Sequence, residues 1–112
     1  MNIIIAGAGE VGYHLSKQLS NENHDIIVID IDNESLNRVD SVTDVLTING
    51  SSTSLRTLKK AKCEKTDLVV SVTSSESINV NTAIIAKTLG AKKTIARVEN
   101  AEYASQENQE LF

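Results

Sequence analysis

The chain has 112 residues, a length that fits a single domain. Hydrophobic residues make up 40% of it and charged residues 23%, and with one Phe and no Trp the core must be built from Ile, Leu, Val and Ala. The net charge of −4 offers no basic face for nucleic acid, and the apolar runs are far too short to span a membrane. We therefore expect no nucleic-acid partner and no direct membrane insertion.

Strand and helix signals alternate along the whole chain. In chain order they predict a strand at 2–6, a helix at 11–20, a strand at 25–30, a helix opening at 33–35, a strand at 45–48, a helix capped by Thr53 or Ser54, a strand at 67–73, a helix at 76–89, a strand at 94–98 and a final helix at 101–112. Such alternation implies right-handed β-α-β crossovers. It predicts an α/β fold, a Rossmann-like doubly wound parallel sheet of order 3-2-1-4-5 with helices on both faces.

A glycine-rich turn follows the first predicted strand. Gly7-Ala8-Gly9-Glu10-Val11-Gly12 matches the pattern G-x-G-x-x-G, and it stands between a predicted strand and a predicted helix, the context that gives this pattern meaning. Gly7 would make the tight turn, Gly9 would let the backbone approach a pyrophosphate, and Gly12 would let the helix pack on the sheet. The alternative is that the glycines serve packing alone. We expect the free N–H groups at the start of the helix to bind the phosphates of a dinucleotide.

Two acids lie at the end of the second predicted strand and just after it. Asp30 ends that strand, where a carboxylate can accept hydrogen bonds from a ribose 2′-OH and would repel a 2′-phosphate. Asp32 either shares this role or caps the next helix. The alternative for Asp30 is a loop cap without a ligand. The carboxylate of Asp30 therefore favours NAD or NADH over NADP.

Glu10 brings a negative charge into the phosphate loop. Like charges at short range repel each other, and a triphosphate would suffer more than a diphosphate bridge. Glu10 thus favours a dinucleotide over ATP or ADP, unless its side chain points into solvent.

Three further residues are candidates for the cleft. Thr73 and Ser74 end the fourth predicted strand, and the carboxyl ends of strands 1 and 4 flank the ligand crevice in such a sheet. Their alternative role is to cap the following helix. Arg97 lies inside the fifth predicted strand, where a guanidinium must find an anion or reach solvent. It is either a ligand contact or a member of a structural ion pair.

The sequence offers no catalytic constellation. Tyr13 and Lys17 form Y-x-x-x-K, but they lie on the helix of the glycine loop itself and would point away from a nicotinamide. His14 and His24 have no partner at a recognisable spacing. Cys63 is the only cysteine, so no internal disulfide is possible, in agreement with a reducing cytoplasm.

Taken together, these residues resemble the nucleotide-binding N-terminal domain of Trk-type potassium uptake regulators, called TrkA-N or KTN and related to RCK domains. The resemblance covers the whole chain and is carried by Ile3–Gly12, His24–Asp30, Asn49-Gly50, Ser52-Thr53, Asp67–Ser74, Glu76, Asn79, Asn81, Ile95–Val98 and Glu110-Leu111-Phe112. Two positions bear on ligand choice. Many relatives carry an acid where this chain has Ser51, and relatives that respond to ATP often carry a basic residue where it has Glu10.

The resemblance implies a regulatory module without hydride chemistry. It would bind NAD or NADH, with ATP or ADP in relatives, and pass its ligand state through paired domains to a potassium-translocating membrane subunit. Gly7–Gly12 would hold the phosphates, Asp30 the ribose, and Thr73 and Ser74 the cleft wall, with Ser52 among the expected ligand contacts. Arg97 would reach a phosphate or a subunit contact. We expect a homo-oligomer, a dimer or larger, in the cytoplasm at the inner face of the cell membrane.

Two further expectations concern the chain as a whole. No sixth strand is visible after Val98, and the sequence closes on Leu111-Phe112. We therefore treat residues 1–112 as one nucleotide-binding domain, either the N-terminal part of a longer protein or a unit whose last helix docks on a partner. The rival function is the cofactor domain of an NAD-dependent dehydrogenase without its substrate domain.

Overall fold

The computed structural model describes residues 1–99. Five strands are interleaved with four helices and a single 3₁₀ turn in this part of the chain: β1 Asn2–Ala6, α1 Glu10–Ser20, β2 Asp25–Asp30, α2 Asn33–Val42, β3 Leu46–Asn49, α3 Leu55–Lys60, the turn Cys63–Lys65, β4 Leu68–Ser71, α4 Glu76–Thr88 and β5 Lys93–Ala96. The predicted helix at 101–112 lies outside the described residues.

The strands form one parallel sheet of order β3-β2-β1-β4-β5, as predicted. β1 lies at its centre, with Ile4 in register with Ile27 of β2 on one side and with Val69 of β4 on the other. Short Ile- and Val-rich runs suit this position, because a central parallel strand is covered on both faces. The order reverses between β1 and β4, which creates a crevice at the carboxyl ends of these strands.

Helices cover both faces of the sheet, also as predicted. On one face, Ile3 and Ile5 pack with Leu36 and Val39 of α2, and α1 adds partly buried side chains. On the other face, Ile4 and Val69 pack with α3 and α4 through the residues Leu58 and Ala86. Each fully buried aliphatic side chain contributes roughly 1.5–3 kcal/mol before the entropy of ordering is subtracted.

Several element boundaries differ from the predictions by one or a few residues. α1 begins at Glu10, one residue early, and β4 is confined to Leu68–Ser71. β5 ends at Ala96, so Arg97 follows the strand and is not inside it, although its backbone N–H still bonds to the Ser71 carbonyl at 2.9 Å. Ser54, not Thr53, caps α3 by accepting the N–H of Thr57 at 3.4 Å.

Within residues 1–99, none of the helices combines the length and the apolar character that crossing a bilayer demands.

Candidate functional site

A cleft of about 650 Å³ opens at the carboxyl edge of the sheet, between the glycine loop and the ends of β2, β3 and β4. It brings together most of the residues predicted to bind a nucleotide: Gly7, Gly9, Glu10, Val11, Asp30, Ser52, Thr73, Ser74 and Arg97. Three predicted residues do not line the cleft, namely Ala8, Gly12 and Asp32. Their contributions to the site are indirect. The volume lies within the range of small-molecule pockets.

The three glycines of the loop have different structural roles. Gly7 has a φ of +114°, and a Cβ there would lie 3.0 Å from the backbone nitrogen of Thr73. A Cβ on Gly12 would overlap the carbonyl oxygen of Gly7. A Cβ on Gly9, by contrast, would meet nothing within 4 Å beyond its neighbours in the chain. Gly7 and Gly12 therefore serve the close packing of loop and helix, while Gly9 leaves open space on the cleft side.

The N-terminus of α1 is the unusual helix end of the described chain. α2, α3 and α4 each begin behind a side-chain cap, supplied by Asp32, Ser54 and Ser75. α1 begins behind Gly9, which has no side chain to cap it. The first N–H groups of a helix have no partner within the helix. Those of α1 therefore remain available to an acceptor that enters the cleft, where the helix dipole also favours negative charge.

Asp30 braces the glycine loop as well as lining the cleft. One carboxylate oxygen accepts the N–H of Ala8 at 2.7 Å, and the other accepts the N–H of Asp32 at 2.8 Å. This contact explains why Ala8, which is fully buried, belongs to the site without lining it. Each carboxylate oxygen has a second lone pair, so both retain the capacity to accept a hydroxyl proton.

Of the two roles predicted for Asp32, the structure shows the helix cap. Its carboxylate accepts the N–H of Ser35 at 3.3 Å and the Ser35 hydroxyl at 2.7 Å. The hydrogen bond from that hydroxyl lowers the pKa of Asp32 below its usual value, ahead of the smaller effects of backbone amides. A carboxylate held in this way stabilises the start of α2.

Glu10 lies at the mouth of the cleft, and its charge is partly balanced. The carboxylate is 2.9 Å from Nε2 of His14 and 3.6 Å from the Arg38 guanidinium on α2. Hydrogen bonding to His14 first, and the Arg38 charge second, lower the pKa of Glu10. The side chain is 74% exposed, as expected if it points toward solvent.

Asn79 is the site residue that the sequence analysis did not assign a role. It is buried on α4, and its Oδ1 accepts the backbone N–H of Thr73 at 2.8 Å and the Thr73 hydroxyl at 2.6 Å. Its Nδ2 donates to the carbonyls of Thr73 and Arg97, both at 3.0 Å. One amide thus joins the ends of β4 and β5 and fixes the far wall of the cleft. Its place among the residues that carry the family resemblance was the available signal, because α4 holds several other polar residues.

Of the remaining candidates that line the cleft, Ser52, Thr73 and Arg97 also bond to other side chains of the protein. The hydroxyl of Thr73 bonds to Asn79, and that of Ser52 bonds to Thr82 at 2.8 Å in a buried contact. Ser74 is exposed. Arg97 pairs with Glu99 at 2.7 Å, so the ion-pair alternative holds in this structure while its side chain stays 41% exposed beside the cleft.

The Tyr13 side chain is engaged in a contact within the protein. The Tyr13 ring packs beneath the guanidinium of Arg38, 4.0 Å from the ring centroid. Among residues 1–99, those that line the cleft include no His, Lys, Tyr or Cys side chain. The cleft wall combines backbone amides, Ser and Thr hydroxyls, two carboxylates and the Arg97 guanidinium with apolar side chains, among them Val11 and Ile78.

This combination of a doubly wound parallel sheet and a glycine-loop cleft at its switch point defines a Rossmann-like domain of the nucleotide-binding type. The sequence profile of the TrkA-N domain matches residues 3–110. The chain belongs to the TrkA-N domain family, as the resemblance predicted.

Comparisons with individual proteins agree with this assignment. The chain is 46% identical over 103 residues to the Trk system potassium uptake protein TrkA homolog of Archaeoglobus fulgidus. The aligned region covers 92% of the chain and 23% of that protein. The TrkA-N domain of the Escherichia coli inner membrane protein ybaL covers 99% of the chain and 96% of that structure, with a TM-score of 0.70 at 14% identity. The Kef CTD of Shewanella denitrificans in AMP-bound form covers 85% of the chain and 57% of that structure, with a TM-score of 0.70 at 18% identity. At such identities these two structures support the fold alone. The chain spans about a quarter of the length of the potassium uptake relatives it matches.

Proposed function

We propose that this domain binds NAD or NADH in the cleft and regulates a potassium uptake system. The observation that carries the proposal is the uncapped N-terminus of α1, set behind Gly9 at the edge of the cleft. Free N–H groups and a positive dipole end form a site for a pyrophosphate, and Gly9 gives the backbone room to reach it.

The groups around this N-terminus fit the rest of a dinucleotide. Asp30 ends β2 with oxygens that can accept the hydroxyls of an adenosine ribose. Val11, Ile31 and Ile78 expose apolar surface on the wall of the cleft, which suits a flat adenine ring. The Kef CTD of Shewanella denitrificans, a protein of the same fold, is recorded in an AMP-bound form, and AMP contains the adenosine of the ligand proposed here.

The choice of NAD over ATP rests on Glu10. Its carboxylate at the mouth of the cleft disfavours a ligand with more phosphate charge, and its pairing with His14 and Arg38 moderates this effect. ATP and ADP are the weaker candidate ligands. Nothing in the described part of the cleft supplies a general acid or base of the His, Lys, Tyr or Cys type, so the bound nucleotide would act as a signal and undergo no hydride transfer.

The wider role follows from the family. Relatives named as Trk system potassium uptake proteins make a potassium-translocating membrane subunit the natural partner. In this proposal the protein lies in the cytoplasm, peripheral to the inner face of the membrane, and works as a dimer or larger homo-oligomer. The nucleotide would act by binding two arrangements of the assembly with different affinities, since only differential affinity shifts an equilibrium.

The test is a calorimetric titration of the purified protein with NADH, NAD, ATP and ADP. We expect micromolar binding of NADH or NAD and weaker binding of ATP. Absence of binding by all four would refute the nucleotide proposal. Co-purification with a potassium-translocating membrane protein, and a change of potassium flux with NADH, would test the regulatory part. Turnover in a hydride-transfer assay would instead favour a dehydrogenase.

A further inference from the structure

Glu10 poses a problem for the site in which it lies. It is the first residue of α1, and an acid in the first turn of a helix is attracted to the free N–H groups and to the positive end of the dipole. In α2, α3 and α4 a capping side chain already accepts one of the first backbone N–H groups, so fewer of these groups are free to attract an acid. At α1 no cap intervenes, so the Glu10 carboxylate is a potential internal competitor for the phosphate position.

The structure directs this carboxylate the other way. Its Oε1 is 2.9 Å from Nε2 of His14, which lies one turn further along α1. Its Oε2 is 3.6 Å from the Arg38 guanidinium, which comes from α2. Both contacts draw the side chain along α1 and away from its N-terminus. The free N–H groups beside Gly9 are left open.

Arg38 is itself held in place. Its guanidinium lies over the Tyr13 ring at 4.0 Å from the centroid, a cation–π contact. Tyr13 packs in turn against the hydrophobic core beneath α1. The guanidinium is therefore fixed by a partly buried ring, and it offers Glu10 a charge at a set position.

We propose that Arg38 is a positioning residue that keeps the Glu10 carboxylate off the N-terminus of α1. His14 is the second residue that holds this carboxylate in place. This inference rests on the proposed function, because it assumes that a phosphate-bearing ligand uses that N-terminus. Arg38 acts here through Glu10 and needs no contact with the ligand.

The mechanism makes a specific claim about pairs of substitutions. Without Arg38, Glu10 is free to fold over the N–H groups and compete with the pyrophosphate, so binding weakens. Without Glu10 there is no competitor, and the loss of Arg38 matters little. A direct attraction between Arg38 and the ligand would behave differently, since it would persist whether or not Glu10 is present.

The experiment compares the wild-type protein with Arg38→Gln, Glu10→Gln and the double variant. NADH and inorganic pyrophosphate are titrated into each by calorimetry, and thermal unfolding by circular dichroism checks the fold. We expect Arg38→Gln to weaken both ligands about 2- to 5-fold, the size typical of a partly exposed charge pair. In the Glu10→Gln background the same change should have almost no effect. Lys93→Gln, at the exposed amino end of β5, removes the same charge far from the cleft and should bind like wild type.

The outcomes separate this inference from the function on which it rests. A wild-type protein that binds neither NADH nor pyrophosphate would overturn both. Normal wild-type binding with no weakening in Arg38→Gln, or with an equal weakening in the Glu10→Gln background, would overturn the role of Arg38 alone. If Arg38→Gln does not fold, Arg38→Met keeps the packing on Tyr13 and removes only the charge, and the same comparison applies to it.

Discussion

The two ends of the parallel sheet carry cavities of similar size but of different chemistry. The cleft at the carboxyl end measures about 650 Å³ and is lined by glycine backbone, by Ser and Thr hydroxyls, by Asp30 and by apolar side chains such as Ile31 and Ile78. A second cavity of about 520 Å³ at the amino end has Asp25, Asp44, Lys62 and Lys65 around an apolar floor. Volume alone does not distinguish these two cavities.

The direction of the helices does distinguish them. In right-handed β-α-β units every helix begins near the carboxyl edge of the sheet and ends near the amino edge. The free N–H groups and positive dipole ends therefore collect at one edge only. β2 illustrates the contrast, because Asp25 at its start is exposed while Asp30 at its end accepts two backbone N–H groups. Donor chemistry, and not cavity size, therefore distinguishes the carboxyl-end cleft from the amino-end cavity.

The largest expected effect comes from adding a methyl group at Gly12. Because its Cβ would overlap the Gly7 carbonyl, α1 must move away from the loop, and we expect the free energy of unfolding to fall by about 3 kcal/mol. Urea denaturation of Gly12→Ala measures this loss.

Gly9→Ala is the matched control for this change. A methyl group there meets no atom within 4 Å beyond its chain neighbours, so the stability should change by less than about 1 kcal/mol, while NADH binding should weaken. Equal stabilities for the two variants would show that the loop glycines are interchangeable, contrary to the roles described above.

Much of the fold was predictable because its signals are local. Ile and Val runs mark β1 and β2, and the glycine pattern marks the turn into α1. The strand order then follows from handedness and short connections, which do not depend on side-chain detail. Of the cleft wall, the sequence predicted the loop, Asp30 and Thr73, since each lies at or directly after the end of a predicted strand.

Contacts between distant parts of the chain were not predictable in the same way. Arg38 lies 28 positions beyond Glu10, and nothing in the spacing of the two residues indicates that their side chains meet. Asn79 resembles any other polar residue of α4 until β4 and β5 place two backbone carbonyls beside it. The prediction that Arg97 lies inside a strand was wrong by one residue, because strand limits depend on pairing with β4.

The second prediction concerns Asn79, which fixes one wall of the carboxyl-end cleft. Asn79→Ala would leave the Thr73 N–H and two carbonyls without their partner in a partly buried place, so we expect a loss of about 2–3 kcal/mol in the free energy of unfolding. Urea denaturation provides the measurement. NADH binding should weaken as well, because the Thr73 segment loses its anchor.

Asn81→Ala is the control on the same helix. Asn81 is exposed, and its replacement should change the stability by no more than about 0.5 kcal/mol. If Asn79→Ala is as mild as Asn81→Ala, the amide is not what holds the ends of β4 and β5 together.

The third prediction compares the contributions of the two ends of β2 to NADH binding. We expect Asp30→Asn to weaken NADH binding about 10-fold, because a hydrogen bond to a charged acceptor is lost and the Ala8 N–H loses its carboxylate. Asp25→Asn removes the same charge from the other end of the strand and should leave the affinity unchanged. Calorimetric titration of both variants provides the comparison. Equal weakening would mean that net charge, and not position at the carboxyl edge, determines binding.

The smallest effect is expected at the amino end, where acids serve the fold. The Asp67 carboxylate accepts the N–H of Asn2 at 2.8 Å and lies 3.2 Å from Nζ of Lys92. The hydrogen bond from Asn2 first, and that from Lys92 second, lower the pKa of Asp67 in the folded protein. As the pH falls, the unfolded chain therefore binds a proton at this position before the folded chain does. The stabilisation is complete above the unfolded pKa of about 3.9 and is lost as the pH falls through the folded value.

Asp67→Asn should thus be slightly less stable than wild type near neutral pH and should lose less of its stability on acidification, with NADH binding unchanged. Urea denaturation at a series of pH values from neutral to strongly acid measures the two curves. Lys92→Gln should keep most of the pH dependence, because the Asn2 amide is the larger cause of the lowered pKa. If Asp67→Asn loses as much stability on acidification as the wild type, Asp67 does not contribute to the acid sensitivity of the fold. Weakened NADH binding in Asp67→Asn would contradict the distinction between the two ends of the sheet.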